Sequence, residues 1–92
     1  MEEKEERLAR AISAGSRRKI LRLLSSQEMT VKEISKQCHL SVSLASRHLQ
    51  LLHDLGFLSV RKESIYKHYS IKVKEMQDLL ESYDRVLKRY EI

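Results

Sequence analysis

Ninety-two residues suit one small domain, 41% hydrophobic content suffices for a compact core, and 34% charged residues exclude a membrane span. Eighteen Lys and Arg against 13 Asp and Glu give a formal charge of +5, which favours a polyanionic partner. The lone cysteine, Cys38, cannot form an internal disulfide, and the acidic start MEEKEE (Met1–Glu6) is unlike a secretory or transit leader, so a cytoplasmic protein is expected.

With no Pro and only Gly15 and Gly56 to punctuate the chain, helix content should be high. A first helix is expected over Glu3–Ala14, with Leu8, Ala11 and Ile12 on one face. Gly15 should break it, leaving Ser16 to cap a second helix that runs to about Ser25 and carries the apolar stripe Ile20, Leu21, Leu23, Leu24. Gln27–Thr30 reads as a turn. Thr30 and Glu33 have the three-residue spacing of a capping box and should open a short helix, Val31–Cys38. After a turn at His39-Leu40, Ser41 is placed to N-cap a longer helix ending at Leu55, with Gly56 as its exit. The period then changes: Phe57–Lys62 and Ile65–Ile71 are rich in Val, Ile, Tyr and Phe and read as a β-hairpin turning at Glu63-Ser64. From Lys72 to Tyr90 the helical period returns. Val73, Met76, Leu80, Tyr83, Leu87 and Tyr90 alternate spacings of three and four, a seam that Leu79 and Val86 widen.

The fold class implied is mainly α with a two-stranded hairpin, a winged helix-turn-helix over residues 1–92. On the Ser41–Leu55 helix, Ala45, Leu49, Leu52 and Leu55 must face the core. The opposite side presents Ser43, Ser46, Arg47 and Gln50, with Ser41 and Val42 at the first turn. Arg can read guanine bidentately, Gln can read adenine, and Ser can contact bases or phosphates, so these six residues are candidate contacts to the major groove of double-stranded DNA. No acidic residue occurs between Glu33 and Asp54, whereas an ordinary exposed face mixes signs. From Ser41 to Lys72 the charged residues are Arg47, Asp54, Arg61, Lys62, Glu63, Lys67 and Lys72, five positive against two negative. Arg61, Lys62, Lys67 and His68, around the hairpin tip, are the candidate wing contacts to the DNA backbone or minor groove. The terminal seam is wider than so small a core needs, so residues 72–92 are expected to act as a dimerisation helix.

The segment LSVSLASRHLQLLHDLGFL (Leu40–Leu58) resembles the recognition region of ArsR-type winged-helix repressors. AGSRRKILRLL (Ala14–Leu24) is similar to their second helix and HYSI (His68–Ile71) to the end of their second wing strand. The resemblance spans most of the chain, although Ala14-Gly15 stands where an acidic-proline pair is common. It implies a homodimer built from the first and last helices, on a pseudo-palindromic operator. The expected interface residues are Leu8, Ile12, Val73, Met76, Leu80, Tyr83, Leu87 and Tyr90. Many members of that family sense metals, but the short helix has only Cys38 where paired cysteines would be needed, and Lys72–Ile92 contains no His. Cys38-His39 and His53 fall short of the three or four ligands that zinc takes, so no metal or other cofactor is expected. Cys38 reads as a small apolar residue closing a helix, and His48 as a core-edge or phosphate-contacting group.

An enzyme is excluded by the lack of a Gly-rich phosphate loop and of any nucleophile, base and orienter set. The expected function is thus that of a sequence-specific transcriptional regulator binding double-stranded DNA as a homodimer, with repression implied by the resemblance. Two alternatives stand beside it: a winged-helix protein-interaction module, which usually carries acidic or apolar residues on the exposed helix, and a non-specific architectural DNA binder.

Overall fold

The computed structural model describes residues 3–92; Met1 and Glu2, the beginning of the acidic start, lie outside them. The order is α1 (Lys4–Ile12), α2 (Gly15–Leu24), β1 (Met29–Thr30), α3 (Val31–Cys38), α4 (Val42–Asp54), β2 (Leu58–Glu63), β3 (Tyr66–Ile71) and α5 (Glu75–Arg89). The strands form one antiparallel sheet in the order β1-β3-β2. This is a winged helix-turn-helix, with one strand more than the hairpin requires.

The core gathers the apolar stripe of every helix. Ala11 of α1, Ile20, Leu21 and Leu24 of α2, Ile34 and Cys38 of α3, and Ala45, Leu49 and Leu52 of α4 are buried together with Met29, Leu58 and Tyr69 of the sheet. Each fully buried Leu or Ile contributes about 1.5–3 kcal/mol, so the stripe on α4 anchors that helix from behind. Met76 and Leu80 of α5 close the same core.

Several boundaries differ from those expected, α5 among them, which begins at Glu75 rather than Lys72. α1 stops at Ile12 rather than Ala14, because guanidinium groups take over its last carbonyls: Arg17 donates to Arg10 O and Ala11 O, and Arg18 donates to Ile12 O at 2.7 Å. α2 begins at Gly15 itself with Ala14 as its N-cap, so Ser16 lies inside the first turn and caps nothing. Met29-Thr30, expected within a turn, forms β1, pairing Met29 with Tyr69 and Thr30 with His68. Two residues are too few to display a period, and what holds them is tertiary: Met29 is buried against the sheet. The hairpin turns at Ser64-Ile65, one residue later than expected, because Glu63 pairs with Tyr66 and Ser64 takes the left-handed conformation with φ 57°.

The terminal seam divides in two. Met76 and Leu80 are core residues at 3% and 2% exposure, which corrects their expected place at a partner interface; the first half of α5 spends them packing on α2. Val73 precedes the helix rather than joining it. Val86, Leu87 and Tyr90, by contrast, are 66%, 54% and 63% exposed. The second half is held alongside α2 by polar contacts, with Arg22 bridging to Asp84 at 2.7 Å and the Arg18 guanidinium 5.2 Å from the centre of the Tyr83 ring.

Candidate nucleic-acid interface

The helix-turn-helix is built from local bonds that its sequence encodes. Thr30 caps α3 with a complete capping box: its hydroxyl accepts the Glu33 N–H, and the Glu33 carboxylate accepts the Thr30 N–H at 2.9 Å. The Thr30 N–H and the Thr30 hydroxyl, which also donates to the carboxylate at 3.0 Å, hold the Glu33 carboxyl below its ordinary range. At the other end His39 adopts φ 56°, and the His39 and Leu40 N–H groups bond back to Lys36 O and Ser35 O. The buried Ser35 hydroxyl donates to Leu40 O at 2.6 Å, pinning the tight turn from inside. Ser41 then caps α4, its hydroxyl accepting the Leu44 N–H at 3.0 Å. α4 ends in the same manner as α3: Gly56 has φ 95°, and the Gly56 and Phe57 N–H groups bond to His53 O and Leu52 O. A side chain at Gly56 would be strained by that φ.

Between these caps α4 is two-sided. Ala45, Leu49 and Leu52 are fully buried, while Val42, Ser43, Ser46, Arg47 and Gln50 are all exposed. Arg47 makes no hydrogen bond or ion pair among the described residues. Gln50 donates to the Asp54 carboxylate at 2.9 Å, a weak exposed contact that orients its amide. The Ser41 hydroxyl is committed to its cap, which leaves Ser43 and Ser46 as the uncommitted hydroxyls. The exposed face of α4 can therefore offer one free guanidinium, two hydroxyls and a carboxamide, with no carboxylate until Asp54.

His48 lies half-buried on the flank of α4, with Nδ1 3.4 Å from Arg17 Nη1. Burial, with Arg17 and then Arg47 nearby, lowers its pKa, so at neutral pH the ring is uncharged and can accept from Arg17. Arg17 also holds the Ser13 hydroxyl and the last carbonyls of α1, and Arg7 of α1 donates to Asp54 O at the far end of α4 at 2.9 Å. Arg7 of α1 and Arg17 of α2 thus grip the candidate recognition helix at two points. Sequence reading missed Arg17 because it sits in an Arg17-Arg18-Lys19 run that looks like surface charge, and its partner on α4 is 31 residues away.

The four expected wing residues separate. Lys62 and Lys67 face each other across the hairpin, both exposed. Arg61 is already paired, with Glu28 and with Glu63 at 2.8 Å, and those hydrogen bonds raise its pKa. Strand alternation explains this: Arg61, Glu63 and His68 share the face opposite Lys62 and Lys67. His68 is half-buried, 3.8 Å from Glu63. Glu28 was not anticipated; it reaches Arg61 only because β1 brings it to the sheet. Cys38 is buried, which pushes its thiol pKa up, the opposite of a reactive or ligating thiolate.

The family model described as "Bacterial regulatory protein, arsR family" matches residues 15–60, from the start of α2 into β2. The transcriptional repressor SdpR of Bacillus subtilis is 33% identical over 75% of this chain and 77% of its own. The transcriptional activator HlyU of Vibrio cholerae is 32% identical over 86% of this chain and 73% of its own. Its structure superposes with a TM-score of 0.81 at 30% identity, covering 94% of both chains. A homodimeric winged helix-turn-helix DNA-binding domain from Mycobacterium bovis superposes with a TM-score of 0.83 at 26% identity, covering 97% of this chain and 82% of that one.

Proposed function

This chain belongs to the ArsR family of bacterial regulatory proteins, and on that premise we propose that it is a homodimeric repressor recognising a pseudo-palindromic DNA operator. The family is one of DNA-binding transcriptional regulators, not of enzymes. The observation that carries the finer reading is the exposed face of α4, where a free Arg47 stands among Ser43, Ser46 and Gln50, the first carboxylate along the helix being Asp54 at its last turn. In the major groove, Arg47 reads guanine O6 and N7, Gln50 reads adenine, and the two serines and the Val42 methyls complete the half-site. Lys62 and Lys67 contribute phosphate contacts, which raise affinity without adding sequence information.

Dimerisation uses the unburied half of the terminal seam, Leu87 and Tyr90 with Val86, joined by Tyr83 and by Leu8 and Ile12 of α1. Three exposed apolar side chains set among charged ones at the outer end of α5 and its C-cap support that assignment. A two-fold dimer sets its two reading helices about one DNA turn apart, roughly 34 Å, which is why the operator should be palindromic. Repression by covering a promoter needs nothing beyond such binding. A protein of this kind acts in the cytoplasm, where the operator is.

The test starts from DNA fragments selected out of a random pool. Binding of the selected site roughly a thousandfold or more above random duplex is expected, with symmetric half-sites. Arg47→Ala should weaken the selected site far more than random DNA. Equal loss on both would reduce Arg47 to a phosphate contact, and no binding of any duplex at about 50 mM salt would overturn the DNA reading.

A further inference from the structure

We propose that Ile65, at the tip of the wing, is a specificity-determining residue that enters the minor groove beside each half-site and selects A·T pairs there. The inference deepens, and rests on, the operator-binding reading above. Two-residue hairpin turns favour Gly, Asn, Asp and Ser, and Ser64 supplies the left-handed position. Ile65, the second residue of the turn, is a large β-branched side chain left 82% exposed, and it adds nothing to the core. Its surroundings say what it meets. Ile65, Tyr66 and Lys67 line one groove with Val31 and Lys32 at the start of α3 and with Val42, the first residue of the reading helix. The wing tip and the reading helix thus border a single continuous surface.

The charged residues lining that groove are Lys32 and Lys67, with no carboxylate among the lining residues. Glu63, the acidic residue nearest the tip, does not line the groove; its carboxylate is held by Arg61, which also binds Glu28. Lys62 and Lys67 stand opposite each other just behind the tip. A second copy of this chain meeting the same patch would set Lys against Lys. A duplex offers phosphates to both lysines, and between its phosphate walls lies a minor groove about 6 Å wide, too narrow for a helix but open to a hairpin tip.

Within that groove an aliphatic side chain discriminates by what it cannot do. A·T and T·A pairs present only acceptors on the floor, whereas G·C adds the guanine N2 amino group. Ile65 cannot accept a hydrogen bond from that amine, so seating it over guanine strips water from a donor and returns nothing. Apolar side chains used in this way also wedge and bend the duplex, which A·T-rich and pyrimidine–purine steps tolerate best.

The experiment uses fluorescence anisotropy on the full chain with the selected operator, its pairs flanking each helix-read site built as A·T, inosine·C or G·C. Inosine keeps the major-groove face of guanine and lacks the N2 amine. A·T and inosine·C flanks should bind alike, with G·C weaker by roughly five- to tenfold. Ile65→Ser, whose shorter side chain can accept the amine, should compress that gap to under about twofold while keeping the preference at the helix-read positions. Equal binding of G·C and inosine·C flanks by the natural chain would overturn the proposal, as would an unchanged gap in Ile65→Ser. Loss of self-association by Ile65→Ser in the absence of DNA would also overturn it, marking the tip as a protein contact. Tight operator binding with indifferent flanks removes only the role of Ile65, whereas failure to bind any duplex removes the operator reading with it.

Discussion

Replacing Leu87 with Asp should yield folded monomers. Leu87 is 54% exposed in the single chain, so the fold does not depend on its burial. Burying a whole Leu is worth about 1.5–3 kcal/mol, so covering the exposed half in a dimer contributes about 1 kcal/mol per protomer and about 2 per symmetric pair. Asp removes that gain and, in addition, would bury two unpaired carboxylates at a cost of several kcal/mol for each ion. The dimer should therefore weaken by about 5 kcal/mol or more, over a thousandfold in Kd. Sedimentation equilibrium at micromolar concentration reads this directly, and far-UV circular dichroism should show unchanged helix content. Leu80→Asp is the matched control. At 2% exposure its carboxylate would sit in the core, so that variant should be unfolded rather than monomeric. If Leu87→Asp remains a dimer at micromolar concentration with the melting temperature of the natural chain, the outer half of α5 is not the interface.

Salt dependence separates the wing residues: Lys62→Ala and Lys67→Ala should each lower the log–log slope of DNA affinity against salt by about 0.9, while Arg61→Ala, whose charge Glu28 and Glu63 already pair, should leave it nearly unchanged. A full unit lost in Arg61→Ala would mean that Arg61 exchanges its carboxylates for phosphate on binding. His48 predicts a pH effect of definite sign. Its folded pKa lies below the ordinary value of 6.5, so its contribution to stability is complete above that pH and is lost as pH falls through 6.5 toward the folded pKa. Thermal melts from pH 7.5 to 5 should fall less steeply for His48→Gln than for the natural chain, and parallel curves would refute the lowered pKa that burial, with Arg17 beside it, gives His48. Thr30→Ala removes the capping box and should cost about 1 kcal/mol, lowering Tm by about 4–8 °C, with Thr30→Ser recovering most of it; no change on melting would show that the packing of Met29 alone holds the start of α3.

Much of the candidate site was legible from local sequence because its determinants are local. A cap and its N–H partner are three residues apart, as at Thr30 with Glu33 and Ser41 with Leu44, and a buried face repeats every three or four residues, as at Ala45, Leu49 and Leu52. The exposed side of α4 followed at once, as the complement of its core stripe. The resemblance carried by Leu40–Leu58 pointed to the same family that the comparisons support.

What tertiary structure decided are the features whose partners are distant in sequence. β1 exists because Met29 packs under a strand 40 residues later, and through β1 Glu28 comes to neutralise Arg61, a charge the sequence alone offers as free. The α5 seam reads as one continuous stripe along the chain, but only packing against α2 tells Met76 and Leu80, spent on the core, from Leu87 and Tyr90, left outside it. Period records that a face is apolar; it does not record what covers it, since the hydrophobic effect is the same whether the apolar neighbour belongs to the same chain or to another.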